Sequence, residues 1–436
     1  MLPNLNTIQD LNAVQDLNTV QEQTQQPLLF FNAVGAIGGA ERVLLTMLET
    51  LKRTNPTLKL VLIVGTEGHL IDAAQHLGVE VLCLPLPESV SRLGDSRLKP
   101  KGTTGAKFLQ TLAAKLGFII HAGQALPALL RYLTQVRQII KSMQPALIHS
   151  NSIKTHLILA LLGHIDAPIL WHIHDFYGSR PVVATAMRWA KRSATGAIAI
   201  SKSVAAEANH VLHPLPISVI YNAIDLQKFA PSPATDSNVV RIGLVATFAR
   251  WKGQDIFLEA AAHIKQQSSD RAVRYYIIGS PIYKTPGSQF SLAELQAKVC
   301  ELQLESVVEF LKFQTDIASV YHNLDIVVHA STQPEPFGLV IIEAMACGKP
   351  VIVAQAGGAA ELFTHNHDAI GVSPGDPIAL AQALIGLIDD PNRRQQLGCH
   401  ARQTAIDTYG CDRIGAELAI AYAQAGYFIS GATPRV

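Results

Sequence analysis

The chain has 436 residues, 48% of them hydrophobic and only 16% charged, with 35 Lys and Arg against 34 Asp and Glu. That length calls for more than one core, that composition excludes an extended disordered chain, and that charge balance excludes a field able to draw the protein onto nucleic acid. Five scattered cysteines, Cys83, Cys300, Cys347, Cys399 and Cys411, form no CxxC pair or Cys/His cluster, which argues against a disulfide framework and a structural zinc site.

The first 26 residues carry LNTIQD, LNAVQD and LNTVQE, three copies of a hexapeptide. Three copies bury too little surface to stack as a solenoid, so residues 1–26 read as a low-complexity, disordered tail. From Pro27 to Ile224 the short apolar runs LLFFNA, KLVLIVG, EVLCLPL, ALIHS, PILWHIH, GAIAI and ISVIY alternate with helix-length segments. Runs apolar on both faces predict a parallel sheet covered on both sides. A polar, Pro-containing linker over 225–239 precedes a second series, VRIGLVAT, VRYYIIG, VVEF, LDIVVHA, PVIVA and AIGV, over 240–408. Residues 409–436 end the chain with a helical period in DRIGAELAIAYAQ. The fold class expected is α/β, with two doubly wound domains and a cleft between them.

An insertion from Pro85 to Ile120 carries Arg92, Arg97, Lys99, Lys101 and Lys107 beside an amphipathic stretch. Two readings stay open: contact with anionic lipid head groups or an acidic acceptor, and a solvated loop leading into a packed helix. No apolar run reaches the roughly 18 residues of a membrane span, and no secretory signal opens the chain. The expected location is cytoplasmic, with room for peripheral contact on the inner face of a membrane.

In open α/β sheets ligands lie beyond the carboxyl ends of the strands, and four strand-to-helix turns stand out. After LLFFN, Gly38 and Gly39 open a helix where backbone amides can approach a phosphate; the spacing does not fit GxGxxG. His174 and Asp175 follow the strand in WHIHDF and suit a substrate hydroxyl or phosphate, while His172, deeper in the strand, also reads as a buried core histidine. Arg250 and Lys252 follow VRIGLVAT and are able to neutralise a diphosphate, or else are solvated charges at a helix start. In PEPFGLVIIE, Glu335 precedes a helix expected over Gly338–Cys347 and Glu343 lies within it. If the whole span were helical the two acids would sit about 12 Å apart, too far to share one substrate atom. The amides of Phe337, Gly338 and Leu339 between them offer an anion site at a positive helix end. An acid, a phosphate cradle and a second acid describe a nucleotide sugar.

These residues resemble the retaining glycosyltransferases of family 4. The resemblance runs from Leu28 to about Tyr422 through GGAER (38–42), HSNS (149–152), HIHDF (172–176), AISKSV (199–204), YNAID (221–225), ARWKGQ (249–254), YYIIG (275–279) and EPFGLVIIEAMACGKPVIV (335–353). It implies a GT-B fold of two Rossmann-like domains, the first binding the acceptor and the second the nucleotide sugar. It also implies that Glu335 contacts donor-sugar hydroxyls and Glu343 the ribose. The diphosphate would lie against Gly38, Gly39 and the amides around Gly338 and Leu339. Lys252 would stabilise it as it leaves, and His174 would touch the transferring sugar. No metal and no cofactor beyond the donor is implied, transfer proceeds with retention, and the last helix crosses back to the first domain. The acceptor class stays open among glycan, lipid-linked and small-molecule.

Two departures from the family pattern stand out. Ala246-Thr247 replaces a usual Gly-Arg pair, leaving Arg250 to supply that charge, and Asn222-Ala223 replaces Asn-Gly. The competing readings are another GT-B activity such as nucleotide-sugar epimerisation, and a non-catalytic nucleotide-sugar-binding scaffold. A phosphorylase would need a longer chain, and a dehydrogenase would need the missing glycine fingerprint.

Overall fold

The computed structural model describes residues 26–87, 126–178, 180–233, 238–267, 272–281, 287–314 and 316–429. The hexapeptide tail, apart from Gln26, and the basic insertion beyond Pro87 lie outside the described residues. The chain divides into two compact units, one drawing on Met1–Ala199, Ala205–Ile220 and Arg413–Val436, the other on Ile200–Val204 and Tyr221–Asp412.

Unit 1 holds seven parallel strands: β1 (Leu28–Asn32), β2 (Leu60–Val64), β3 (Glu80–Cys83), β4 (Leu147–Ser150), β5 (Ile169–Ile173), β6 (Gly196–Ala199) and β7 (Ile217–Val219). Their order is β3-β2-β1-β4-β5-β6-β7. Every residue of β1, β2, β4 and β5 is buried, which is why these runs are apolar without alternation. Sequential strands run outward from β1 in one direction and from β4 in the other. The loops leaving the carboxyl ends of β1 and β4 therefore diverge and open a crevice. Helix α1 (Gly39–Thr54) leaves β1 with Glu41 in its first turn and Lys52 and Arg53 in its last, matching the helix dipole at both ends. The terminal helix α2 (Ile414–Gln424) packs on α1, where the absent side chain of Gly415 admits Thr54 and Thr50.

Unit 2 holds six parallel strands: β8 (Val240–Val245), β9 (Val273–Ile278), β10 (Val308–Leu311), β11 (Ile326–His329), β12 (Val351–Ala354) and β13 (Ile370–Val372), ordered β10-β9-β8-β11-β12-β13. Ile242, Leu244, Phe257, Tyr275, Ile277, Val328, Ile352 and Leu384 belong to its buried core. The order reverses between β8 and β11, which pair directly with Ile326 opposite Ile242. This is the second crevice of the same kind.

Helix α3 (Leu339–Ala346) follows β11 and is shorter at both ends than the Gly338–Cys347 expected. Gly338, at φ 104°, serves as its N-cap rather than its first residue, and Cys347 as its C-cap. Glu343 is the sole charged residue in this apolar helix and is buried.

Candidate active site

Lys252 and Glu335 are 83 positions apart in sequence but lie on the turns leaving the adjacent strands β8 and β11. Trp251 O accepts the Thr332 amide at 2.8 Å, pinning one turn to the other. Gly253, at φ 75°, passes so near Ala330 O that a side chain has no room, and this close approach aims Lys252. Lys252 Nζ lies 2.6 Å from Glu335 Oε2 and 4.0 Å from the centre of the Trp251 ring.

Glu335 is buried to 7% exposure. Its Oε2 accepts from Lys252 Nζ, from Ser331 Oγ at 2.9 Å and from His329 Nε2 at 3.3 Å. Burial alone would raise its carboxyl pKa, but the Lys252 charge and the His329 hydrogen bond outweigh burial and hold it far below the usual range. Oε1 accepts no hydrogen bond among the described residues. The Glu335 backbone bridges Gly357, whose amide neighbour Gly358 donates to Glu335 O at 2.7 Å.

Directly after Glu335, the amides of Phe337, Gly338 and Leu339 find no acceptor among the described residues. They are donors at a helix N-terminus, where the dipole favours an anion. Glu343, one helix length further on, accepts from Tyr321 Oη at 2.8 Å. Arg250 lies elsewhere: its guanidinium pairs with Glu294 and stacks 4.3 Å over the Phe290 ring. No hydrogen bond or ion pair joins it to Lys252 or Glu335 among the described residues.

In unit 1 the β1/β4 crevice carries a second polar group. Asn32 ends β1, Asn151 follows β4 and His174 follows β5, so three adjacent strands deliver them side by side. His174 Nε2 lies 2.9 Å from Asn151 Oδ1, Asn151 Nδ2 donates to Asn32 Oδ1 at 3.0 Å, and Asn32 Nδ2 donates to Glu41 Oε1 at 3.2 Å. Glu41 Oε2 accepts the Gly38 amide at 3.0 Å, whereas the Gly39 amide has no acceptor among the described residues. Burial raises the Glu41 carboxyl pKa, with the bonds from Asn32 and Gly38 opposing it. Asp175 is taken up by Arg180 and by its neighbour's amide, Phe176 N. His172 is buried with Nδ1 3.2 Å from His149 Nε2, but its Nε2 has no partner among the described residues, so it is only half-satisfied there.

Sequence reasoning did not single out His329, Ser331, Tyr321, Asn32 or Asn151. Asn151 carried a usable signal, since it lies in HSNS directly past a strand. The others needed the strand order. No helix among the described residues is long and apolar enough to cross a membrane.

The same architecture occurs in solved structures. HepE from Anabaena, in complex with UDP, superposes with a TM-score of 0.73 at 24% identity, covering 91% of this chain and 99% of that one. The sucrose-phosphate synthase from Thermosynechococcus elongatus superposes with a TM-score of 0.70 at 18% identity, covering 92% and 98%. At these identities the likeness shows the fold, which is that of the GT-B glycosyltransferases, with two Rossmann-like parallel-sheet domains. Residues 37–228 match the family described as Glycosyltransferase Family 4, and residues 227–404 that described as Glycosyl transferases group 1. The chain belongs to this family of glycosyltransferases. Curated relatives include D-inositol 3-phosphate glycosyltransferases from Corynebacterium urealyticum, 31% identical over 206 residues, and Streptomyces bingchenggensis, 31% identical over 224 residues. The matched segments are 44% and 49% of this chain and 48% of each relative, so the chain spans about half the length of the curated relatives it matches.

Proposed function

We propose that the protein is a retaining glycosyltransferase that moves a sugar from a nucleotide-sugar donor to a glycan, lipid-linked or small-molecule hydroxyl. The observation that carries this reading is the division of labour on Glu335: among the described residues three donors converge on Oε2 while Oε1 accepts nothing, beside three amides without acceptors. A carboxylate locked by one oxygen and open at the other is suited to hold a sugar hydroxyl in a fixed direction. In this reading the diphosphate lies on the amides of Phe337, Gly338 and Leu339, and Glu343, steadied by Tyr321, holds the ribose.

The bond from the sugar anomeric carbon to the diphosphate oxygen breaks, and its electron pair goes to that oxygen. The acceptor oxygen bonds to the same face, and its proton passes to the departing phosphate. Lys252 shares its charge between Glu335 and the developing phosphate charge, with the helix dipole adding to it. Arg250 contributes only when its pair with Glu294 opens. In unit 1, Glu41 already holds the Gly38 amide, so the Gly39 amide, without an acceptor among the described residues, is the one left for a phosphate, and His174 is left for a sugar hydroxyl.

HepE is solved with UDP and with UDP-glucose, which favours a UDP-sugar as donor here. The test is to incubate the protein with UDP-, GDP- and ADP-sugars without acceptor, scoring binding and slow hydrolysis with and without EDTA. One nucleotide class should bind and hydrolyse, insensitive to EDTA. Binding of none of the three would reject the reading.

A further inference from the structure

The polar chain at the β1/β4 crevice has a direction. Val34 O carries only lone pairs and accepts from Asn32 Nδ2 at 2.6 Å, and the same nitrogen gives its other proton to Glu41 Oε1. Asn32 must therefore turn its Oδ1 to Asn151, which answers with Nδ2. That leaves Asn151 only its Oδ1 to present to His174. An amide oxygen has no proton to give, so Nε2 of His174 carries the proton and the neutral ring keeps its lone pair on Nδ1. Nδ1 makes no hydrogen bond among the described residues.

The chain is held by burial and by packing. Asn32 and Asn151 are buried to 0% and 1% exposure, and the Asn151 amide is tied to Phe31 O at 2.9 Å. The rings of His174 and His172 lie 4.1 Å apart, which limits rotation of His174. Burial lowers the His174 pKa to about 3, so the imidazole stays neutral.

We propose that Asn32 and Asn151 are positioning residues that fix His174 as the Nε2–H tautomer, so that its bare Nδ1 accepts a hydrogen bond from a hydroxyl of the transferring sugar. The proposal rests on the reading of His174 as a sugar contact. It assigns to Glu41 and Val34 O the role of setting, two amides away, which histidine nitrogen faces the substrate. A histidine held only by packing would sample both tautomers, and part of its population would present a donor instead.

The experiment uses the full chain with ¹⁵N-labelled histidine. Long-range ¹⁵N–¹H spectra report the tautomer of His174, assigned by comparison with His174→Gln. The wild type should show Nε2–H alone. Asn151→Ala should show both forms, with kcat lowered on the order of tenfold to a hundredfold and donor KM changed by less than about twofold. Should Asn151→Ala not fold, Asn151→Ser serves, because its hydroxyl either gives or takes a hydrogen bond and so releases the tautomer while keeping a partner. A His174 that stays Nε2–H in the Asn151 variant overturns the proposal, as does a tautomer shift that leaves kcat unchanged. Wild-type turnover in His174→Ala would instead remove the sugar contact on which it rests, without touching the network that the spectra read.

Discussion

Lys252 and Glu335 form a part-buried ion pair at 2.6 Å, its carboxylate end buried, across the turn of β8 and the turn of β11. A buried carboxylate that loses its cation is left with an uncompensated desolvation cost of about 3–5 kcal/mol. Lys252→Met should therefore destabilise unit 2 by about that much, and adding Glu335→Gln should recover much of the loss because the charge itself is gone. Urea unfolding of the two single variants and the double variant reads this out. Purely additive losses would mean that the pair is not coupled in the folded protein.

Gly338 adopts φ 104°, and a Cβ there would lie 2.8 Å from Ile341 Cδ1. Gly338→Ala should cost about 1–3 kcal/mol in backbone strain and turn the three amides at the start of α3 away from their common direction. Calorimetric titration with the nucleoside diphosphate should show weaker binding than in the wild type, and more weakening than in Gly386→Ala, where a Cβ meets nothing. Equal affinities in the two variants would contradict the amide site.

The pH dependence of stability follows from unit 1. Burial, with the neighbouring histidines adding to it, lowers the His149 pKa to about 3 and holds His156 and His172 well below their ordinary value, while burial alone takes His174 to about 3. In the unfolded chain these groups protonate near about 6.5. Below that pH the unfolded state binds more protons than the folded one, so stability falls as pH drops, by up to about 1.4 kcal/mol per pH unit for each histidine. Glu335, whose folded pKa is depressed, acts in the same direction, from the ordinary carboxylate range downward. The urea midpoint should stay level above about pH 6.5 and decline steadily below it. A midpoint unchanged down to about pH 5 would contradict the burial of neutral imidazoles.

Much of this was legible in the sequence, and the reasons differ by residue. The strands of both units are continuous apolar runs because both faces of a parallel sheet are covered, so ILWHI and VIVA announce themselves without alternation. The two carboxylates that the sequence spaces around a glycine, Glu335 and Glu343, meet different partners, Lys252 and Tyr321. Pairings between distant turns were not legible. That Lys252 meets Glu335 depends on β8 lying beside β11, an order set by the crossover of the whole chain rather than by local spacing. Arg250 and Lys252 look equivalent two positions apart, yet a single tight turn sends one to Glu294 and the other to Glu335. Ser331 and His329 escape a sequence reading because their function, to hold Oε2, exists only once the loop has folded back over the strand end.

The measurement that bears most directly on the account is turnover of Glu335→Ala and Lys252→Ala with the nucleotide sugar that the wild type accepts, each variant first checked for a cooperative unfolding transition. Removing a group that stabilises developing charge or fixes the reacting sugar should lower kcat by about a hundredfold or more in each folded variant. Wild-type turnover in both variants would contradict the assignment of chemistry to this pair.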